Sequence, residues 1–158
     1  MKVIVDISDA KVSAEAEDEL VTFSLGSCIG VALYDARVRV GGLLHYQLPS
    51  STADTARAAE RPLMYADTGM ESLLAEMTKL GASKRRMSVR ITGGAKMLND
   101  HLLFDIGRRN HAAIRKILWQ QGMFITAEHV GGKLPRNMQL NIGDGTLLVK
   151  YNNETLSL

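Results

Sequence analysis

The stretch Thr22-Phe23-Ser24-Leu25-Gly26-Ser27-Cys28-Ile29-Gly30-Val31-Ala32-Leu33-Tyr34-Asp35 sets the chain's only cysteine between two apolar runs. Gly26-Ser27 permits a sharp bend, and Ile29 to Tyr34 is an apolar run of strand length. Gly26-Ser27-Cys28-Ile29-Gly30 fits the G-x-nucleophile-x-G pattern of an α/β-hydrolase elbow, with cysteine in place of serine. That elbow needs strand, turn and then helix. Here the run after Cys28 reads as strand and leads into an Asp35-Ala36-Arg37 turn, so the α/β-hydrolase reading fails.

Working outward, strands are expected at Val3 to Val5, Leu20 to Leu25, Ile29 to Tyr34, Val40 to Leu48, Ser88 to Thr92, Met123 to Val130, Met138 to Ile142 and Thr146 to Tyr151. Gly143-Asp144-Gly145 marks a hairpin turn between the last two. Two helices are expected. In Pro62 to Leu80, Met70, Leu73, Leu74, Met77 and Leu80 form one stripe at helical period, with Pro62 suited to a first turn and Gly81 to a C-terminal cap. Ile106 to Gln121 turns Ala113, Ile114, Ile117 and Leu118 inward and stops at Gly122. Strands in blocks, each with one face to cover, predict an α+β domain of two packed sheets with helices outside, a single domain over residues 1–158.

The 158 residues carry 19 basic and 17 acidic side chains, a formal charge of +2 that does not point to nucleic acid. Lys84-Arg85-Arg86 and Arg108-Arg109 read as solvated faces near helix ends rather than an RNA site. Eight aromatics are few for a protein that stacks bases. The apolar start Met1-Lys2-Val3-Ile4-Val5 breaks at Asp6, too soon for a signal peptide. No run approaches the roughly 20 apolar residues of a membrane span. A free thiol and these absences predict a cytoplasmic protein. The methionines Met64, Met70 and Met77 are expected in the core rather than in a partner groove.

A lone cysteine is most often a small buried hydrophobe, but a sharp bend also turns backbone N–H groups toward one point, the geometry of an oxyanion hole, here at Ser27 and Cys28. A nucleophilic thiol needs a base. His101 falls in a polar loop, His111 on a helix, and His129 at a strand end where a hydrogen bond to a neighbour is expected. With no CxxC and no close histidine pair, neither metal nor cofactor is expected. His45 differs. If the strands flanking Ala36-Arg37 pair about a turn centred between those two residues, Cys28 faces His45 directly, their Cβ atoms ~4.5–5.5 Å apart. An imidazolium there would lower the thiol pKa toward the ~3.5–7.5 range in a solvent-reachable pocket. Thr22 could orient the ring as third member of a triad.

Thr22 to Cys28, then Gly41-Gly42-Leu43-Leu44-His45-Tyr46-Gln47-Leu48-Pro49, resembles the chemoreceptor glutamine deamidase family, CheD. The resemblance continues through Tyr65-Ala66-Asp67, Leu80-Gly81-Ala82, Thr92-Gly93-Gly94-Ala95, Ile106-Gly107-Arg108-Arg109-Asn110 and Glu128-His129-Val130-Gly131-Gly132. It implies a four-layer α/β/β/α fold with two packed mixed sheets and outer helices, and a triad of Cys28 as nucleophile, His45 as base and Thr22 as third member. It also implies deamidation of glutamine side chains on chemoreceptor helices, with some hydrolysis of glutamyl methyl esters, and a capacity to bind and stimulate a CheC-type phosphatase of the phosphorylated response regulator. The last could be met by a binding module without turnover.

Overall fold

The structure is a computed structural model and describes residues 1–98 and 105–158; the expected loop holding His101 lies outside them. Among the described residues ten strands form two mixed five-stranded sheets. In the first, β1 (Lys2–Ile4) runs parallel to β3 (Glu19–Leu25), followed by β8 (Arg136–Asn141), β9 (Leu147–Tyr151) and β10 (Glu154–Ser157), all antiparallel neighbours. In the second, the order is β2 (Asp9–Ser13), β5 (Val40–Tyr46), β4 (Ile29–Asp35), β6 (Ser88–Gly93), β7 (Ala127–Val130), with only β6 and β7 parallel. The helices are α1 (Thr55–Glu60), α2 (Ala66–Lys79) and α3 (Ile106–Gln120).

Alternation along β4 and β5 divides the core in two. Ile29, Val31, Leu33, Leu44 and Tyr46 face α2 and α3, meeting Met70, Leu73 and Met77 of α2 and Ile114 and Leu118 of α3. Ala32 and Leu43 point the other way, onto Leu20, Leu25, Met138 and Leu140 of the first sheet, and Cys28 belongs to this inter-sheet layer. All seven residues of each strand are buried, as a strand covered on both faces must be. Met64, Met70 and Met77 are all core residues, as expected.

The two packed mixed sheets of an α+β domain are present, with outer helices. Both apolar-striped helices, α2 and α3, lie on the second sheet. The outer face of the first sheet carries exposed Phe23 and Leu148, and its strands β8 and β9 alternate buried with half-buried or exposed positions, the pattern of a face left to water. Gly81 (φ +92°) and Gly122 (φ +69°) end α2 and α3 where expected. Strands β2 and β10 and helix α1 were not expected from the sequence, the last inside what reads as a polar loop from Ser50 to Arg61. The strand expected from Met123 begins only at Ala127.

Candidate active site

The β4–β5 hairpin closes later than the sequence suggests. Asp35 pairs with Val40 across a four-residue loop in which Arg39 takes φ +53°, so the turn centres between Arg37 and Val38. Gly30, not Cys28, is therefore directly opposite His45. The slip is two residues, and an even slip keeps every side chain on its face. Cys28, just before β4, shares the inter-sheet face with His45 as its diagonal neighbour. The space at Gly30 serves sheet packing: an added Cβ would meet Met138 Sδ at 2.5 Å and Leu25 Cδ1 at 2.9 Å.

The Cys28 turn follows a bulge in β3, where pairing with β8 shifts between Thr22 and Leu25 and Ser24 takes φ +58°. Gly93-Gly94-Ala95 backs the turn. The Gly94 amide donates to Cys28 O and the Ala95 amide to Gly26 O, both at 2.8 Å. Gly93 (φ +108°) has no alternative there, since a Cβ would stand 2.2 Å from Cys28 O. The Ser27 amide donates to no backbone acceptor among the described residues, while the Cys28 amide bonds its own side chain's sulfur.

Thr22 and His45 do come together. Thr22 Oγ1 lies 2.8 Å from His45 Nδ1. The same hydroxyl donates its one proton to Val5 O at 2.6 Å. Toward the imidazole it can therefore only accept, which puts the ring proton on Nδ1 and leaves Nε2 as a bare lone pair. Nε2 is buried with no hydrogen-bond partner among the described residues. That is the tautomer a general base requires.

The electrostatics overturn the expected thiolate–imidazolium pair. Burial pushes the Cys28 thiol up to about 11, with its own backbone amide pulling slightly the other way. Burial pulls His45 down to about 4, against the raising influence of Asp6 and Asp9. At neutral pH both groups rest uncharged. The sulfur is also less open than the solvent-reachable pocket expected: Cys28 is 8% exposed. A cavity of about 300 Å³ opens onto His45, lined also by Val5, Asp6, Ile7, Phe23 and Ser24, and Cys28 lies outside its lining.

Three participants escaped the sequence. The Val5 carbonyl is one; a backbone acceptor leaves no trace in residue types. Asn110 is the second: fully buried on α3, its Nδ2 donates to Ser27 O at 2.9 Å and Gln47 O at 2.8 Å, tying the Cys28 turn to the strand end beyond His45. The third is Arg136, buried with Tyr151 under its guanidinium, which donates to Gly93 O, Gly131 O and His129 Nδ1 and so braces the glycine loop behind Cys28. His129 thus finds the neighbour expected of it. His111 pairs with Glu128 at 2.8 Å, joining α3 to β7. No group of three or more metal-ligating side chains occurs among the described residues.

The family model "CheD chemotactic sensory transduction" matches residues 47–151, beginning two residues after His45. Curated relatives extend the match over the segments holding Thr22, Cys28 and His45. The chain is 43% identical over 157 residues to "Probable chemoreceptor glutamine deamidase CheD" of Solibacter usitatus (strain Ellin6076), covering 99% of this chain and 93% of that protein. The chain belongs to the CheD family. Within it, "Probable chemoreceptor glutamine deamidase CheD 1" of Syntrophus aciditrophicus (strain SB) is 46% identical over 148 residues, covering 94% of this chain and 92% of the relative. The archaeal "Probable chemoreceptor glutamine deamidase CheD" of Archaeoglobus fulgidus is 39% identical over 153 residues, covering 95% and 93%. The family resemblance carried by the Cys28 and His45 segments is thus borne out for this CheD-family chain. No helix among the described residues is long and apolar enough to cross a membrane.

Proposed function

We propose that this protein is a cysteine-dependent deamidase of glutamine side chains on chemoreceptors, acting in the cytoplasm. One observation carries the reading: the Thr22 hydroxyl, committed to Val5 O, leaves His45 with a bare Nε2 on the face it shares with Cys28. As Cys28 Sγ attacks the carboxamide carbon, its proton passes to Nε2, and the Ser27 and Cys28 amides receive the developing oxyanion. The imidazolium then protonates the amide nitrogen, the C–N bond breaks, and ammonia leaves a thioester. Nε2 next takes a proton from water, hydroxide adds to the thioester, and the C–S bond breaks to return the thiol and a glutamate. The same acyl transfer hydrolyses a glutamyl methyl ester with methanol leaving.

Incubation with receptor peptides should give a mass gain of about 1 Da at target glutamines, abolished by Cys28→Ala. An equal gain with the variant would refute the reading.

A second role, stimulation of a CheC-type phosphatase, is supported by half-exposed Ile7 and Phe23 on the rim of the His45 cavity, an apolar edge suited to a protein partner. Stimulation retained by Cys28→Ala would separate it from turnover.

A further inference from the structure

Helix α3 has two faces with different business. Its inner face carries Asn110, Ile114 and Leu118. Its outer face carries Arg108, Arg109, Arg115 and Lys116, and the helix has no acidic residue at all. These are four of the chain's 19 cations, set on one helix face without an acid between them. None of the four forms an ion pair among the described residues.

The surface is shaped as well as charged. A groove of about 510 Å³ follows the helix from Arg109 to Gln120, with Ala112, Ala113 and Lys116 between them and Pro49 and Asp67 also in its lining. Seven residues of helix separate the two cations by about 10 Å, and the alanines let another backbone come close. One turn beyond Lys116, outside the groove's lining, stands Trp119, the chain's only tryptophan, 80% exposed, with Phe124 86% exposed just past the helix end. Tryptophan and arginine are the side chains that most often anchor a protein interface.

Three occupants are chemically available. A second copy of the chain, paired face to face, would set cations against cations. A lipid headgroup plane is flat, whereas this site is a groove, and the Asp67 carboxylate in its wall is taken up by the Ser51 amide and hydroxyl, which leaves Arg109 and Lys116 to an occupant. An acidic helix fits both shape and charge. The groove shares no lining residue with the His45 cavity, but Arg109 at its start is next in the chain to Asn110, whose side chain holds Ser27 O in the Cys28 turn.

We propose that the outer face of α3 is an exosite for the substrate, taking an acidic helical stretch that flanks the target glutamine. Carboxylates two helical turns apart meet Arg109 and Lys116, and an apolar side chain packs on Trp119. This rests on the deamidase reading, and the experiment keeps the two apart.

The substrates are a chemoreceptor cytoplasmic fragment and a short peptide holding only its target glutamine and immediate neighbours. Arg109→Glu with Lys116→Glu, and separately Trp119→Ala, should lower kcat/KM on the fragment about tenfold or more, chiefly through KM, and leave the short peptide unchanged. Added salt should weaken the parent's action on the fragment alone. Equal losses on both substrates, or none on the fragment, overturn the exosite. In Cys28→Ala protein, adding a tryptophan-free fragment should shift Trp119 emission to the blue. A shift without turnover by the parent would sink the deamidase reading and leave the docking surface standing; no shift would sink the docking surface. Binding to 3:1 phosphatidylcholine–phosphatidylglycerol vesicles, or dimerisation in sedimentation, that disappears in the charge variants while fragment kinetics hold would reassign the face to lipid or to self-association.

Discussion

Thr22 Oγ1 stands 2.8 Å from His45 Nδ1 while its proton is given to Val5 O. The contact spans the two sheets, with Thr22 on β3 of the first and His45 on β5 of the second. Sheet packing therefore sets the protonation state of the ring.

Replacing the hydroxyl tests that dependence. Thr22→Val keeps the shape but leaves Val5 O and Nδ1–H without their partner, at a cost of about 1–3 kcal/mol in stability. It should also lower kcat by about 10²-fold or more, because the ring can then adopt the other tautomer, with KM changed little. Thr22→Ser retains the hydroxyl and should recover most of the activity. Steady-state kinetics with denaturant titrations of the three proteins check both effects.

The neutral resting pair makes stability depend on pH in a definite sense. His45 is held at about 4 in the fold against 6.5 as its ordinary value. The unfolded chain therefore gains the proton first, and stability falls as pH drops from about 6.5 toward 4, by roughly 3 kcal/mol from this group. Cys28, held up at about 11 against an ordinary 9.0, acts at the other end. The unfolded chain loses that proton first, and stability falls as pH rises from about 9 toward 11. Urea titrations across pH should show both limbs, with the alkaline one reduced in Cys28→Ala. In the folded protein, iodoacetamide should alkylate Cys28 more slowly at pH 8 than it does a free thiol.

Asn110 should act on rate more than its stability contribution accounts for. Asn110→Asp is isosteric but turns acceptor oxygens toward the carbonyls of Ser27 and Gln47, so the Cys28 turn loses its tie to β5. A fall in kcat of about 10-fold or more is expected, with altered Cys28 alkylation. Asp35→Asn is the control. It weakens the ion pair between buried Asp35 and exposed Arg86, 2.8 Å apart at the opposite end of β4, and should lower the melting temperature without lowering kcat.

Cys28 and His45, the proposed nucleophile and base, were legible in the sequence as residue types flanking a glycine turn, and their shared face survived an error in register because the error was even. The register itself was not legible: Arg39 adopts a left-handed conformation that nothing in Ala36-Arg37-Val38-Arg39 announces, and it moves the turn by one residue. Strand β2 is polar and short, a strand chiefly because the backbone of β5 offers it an edge. Helix α1 is six residues with a single buried alanine, too little for a stripe to register. The pKa directions depend on burial between two sheets, which no local pattern encodes. Asn110 and the Val5 carbonyl act through backbone groups far along the chain, so only the folded molecule reveals them.

The most direct measurement is ¹⁵N NMR of the His45 ring in the resting protein between pH 5.5 and 8.5. The account requires a protonated Nδ1 and a bare Nε2 whose resonances stay constant across that range. A proton on Nε2, or an imidazolium that titrates near neutrality, would contradict it.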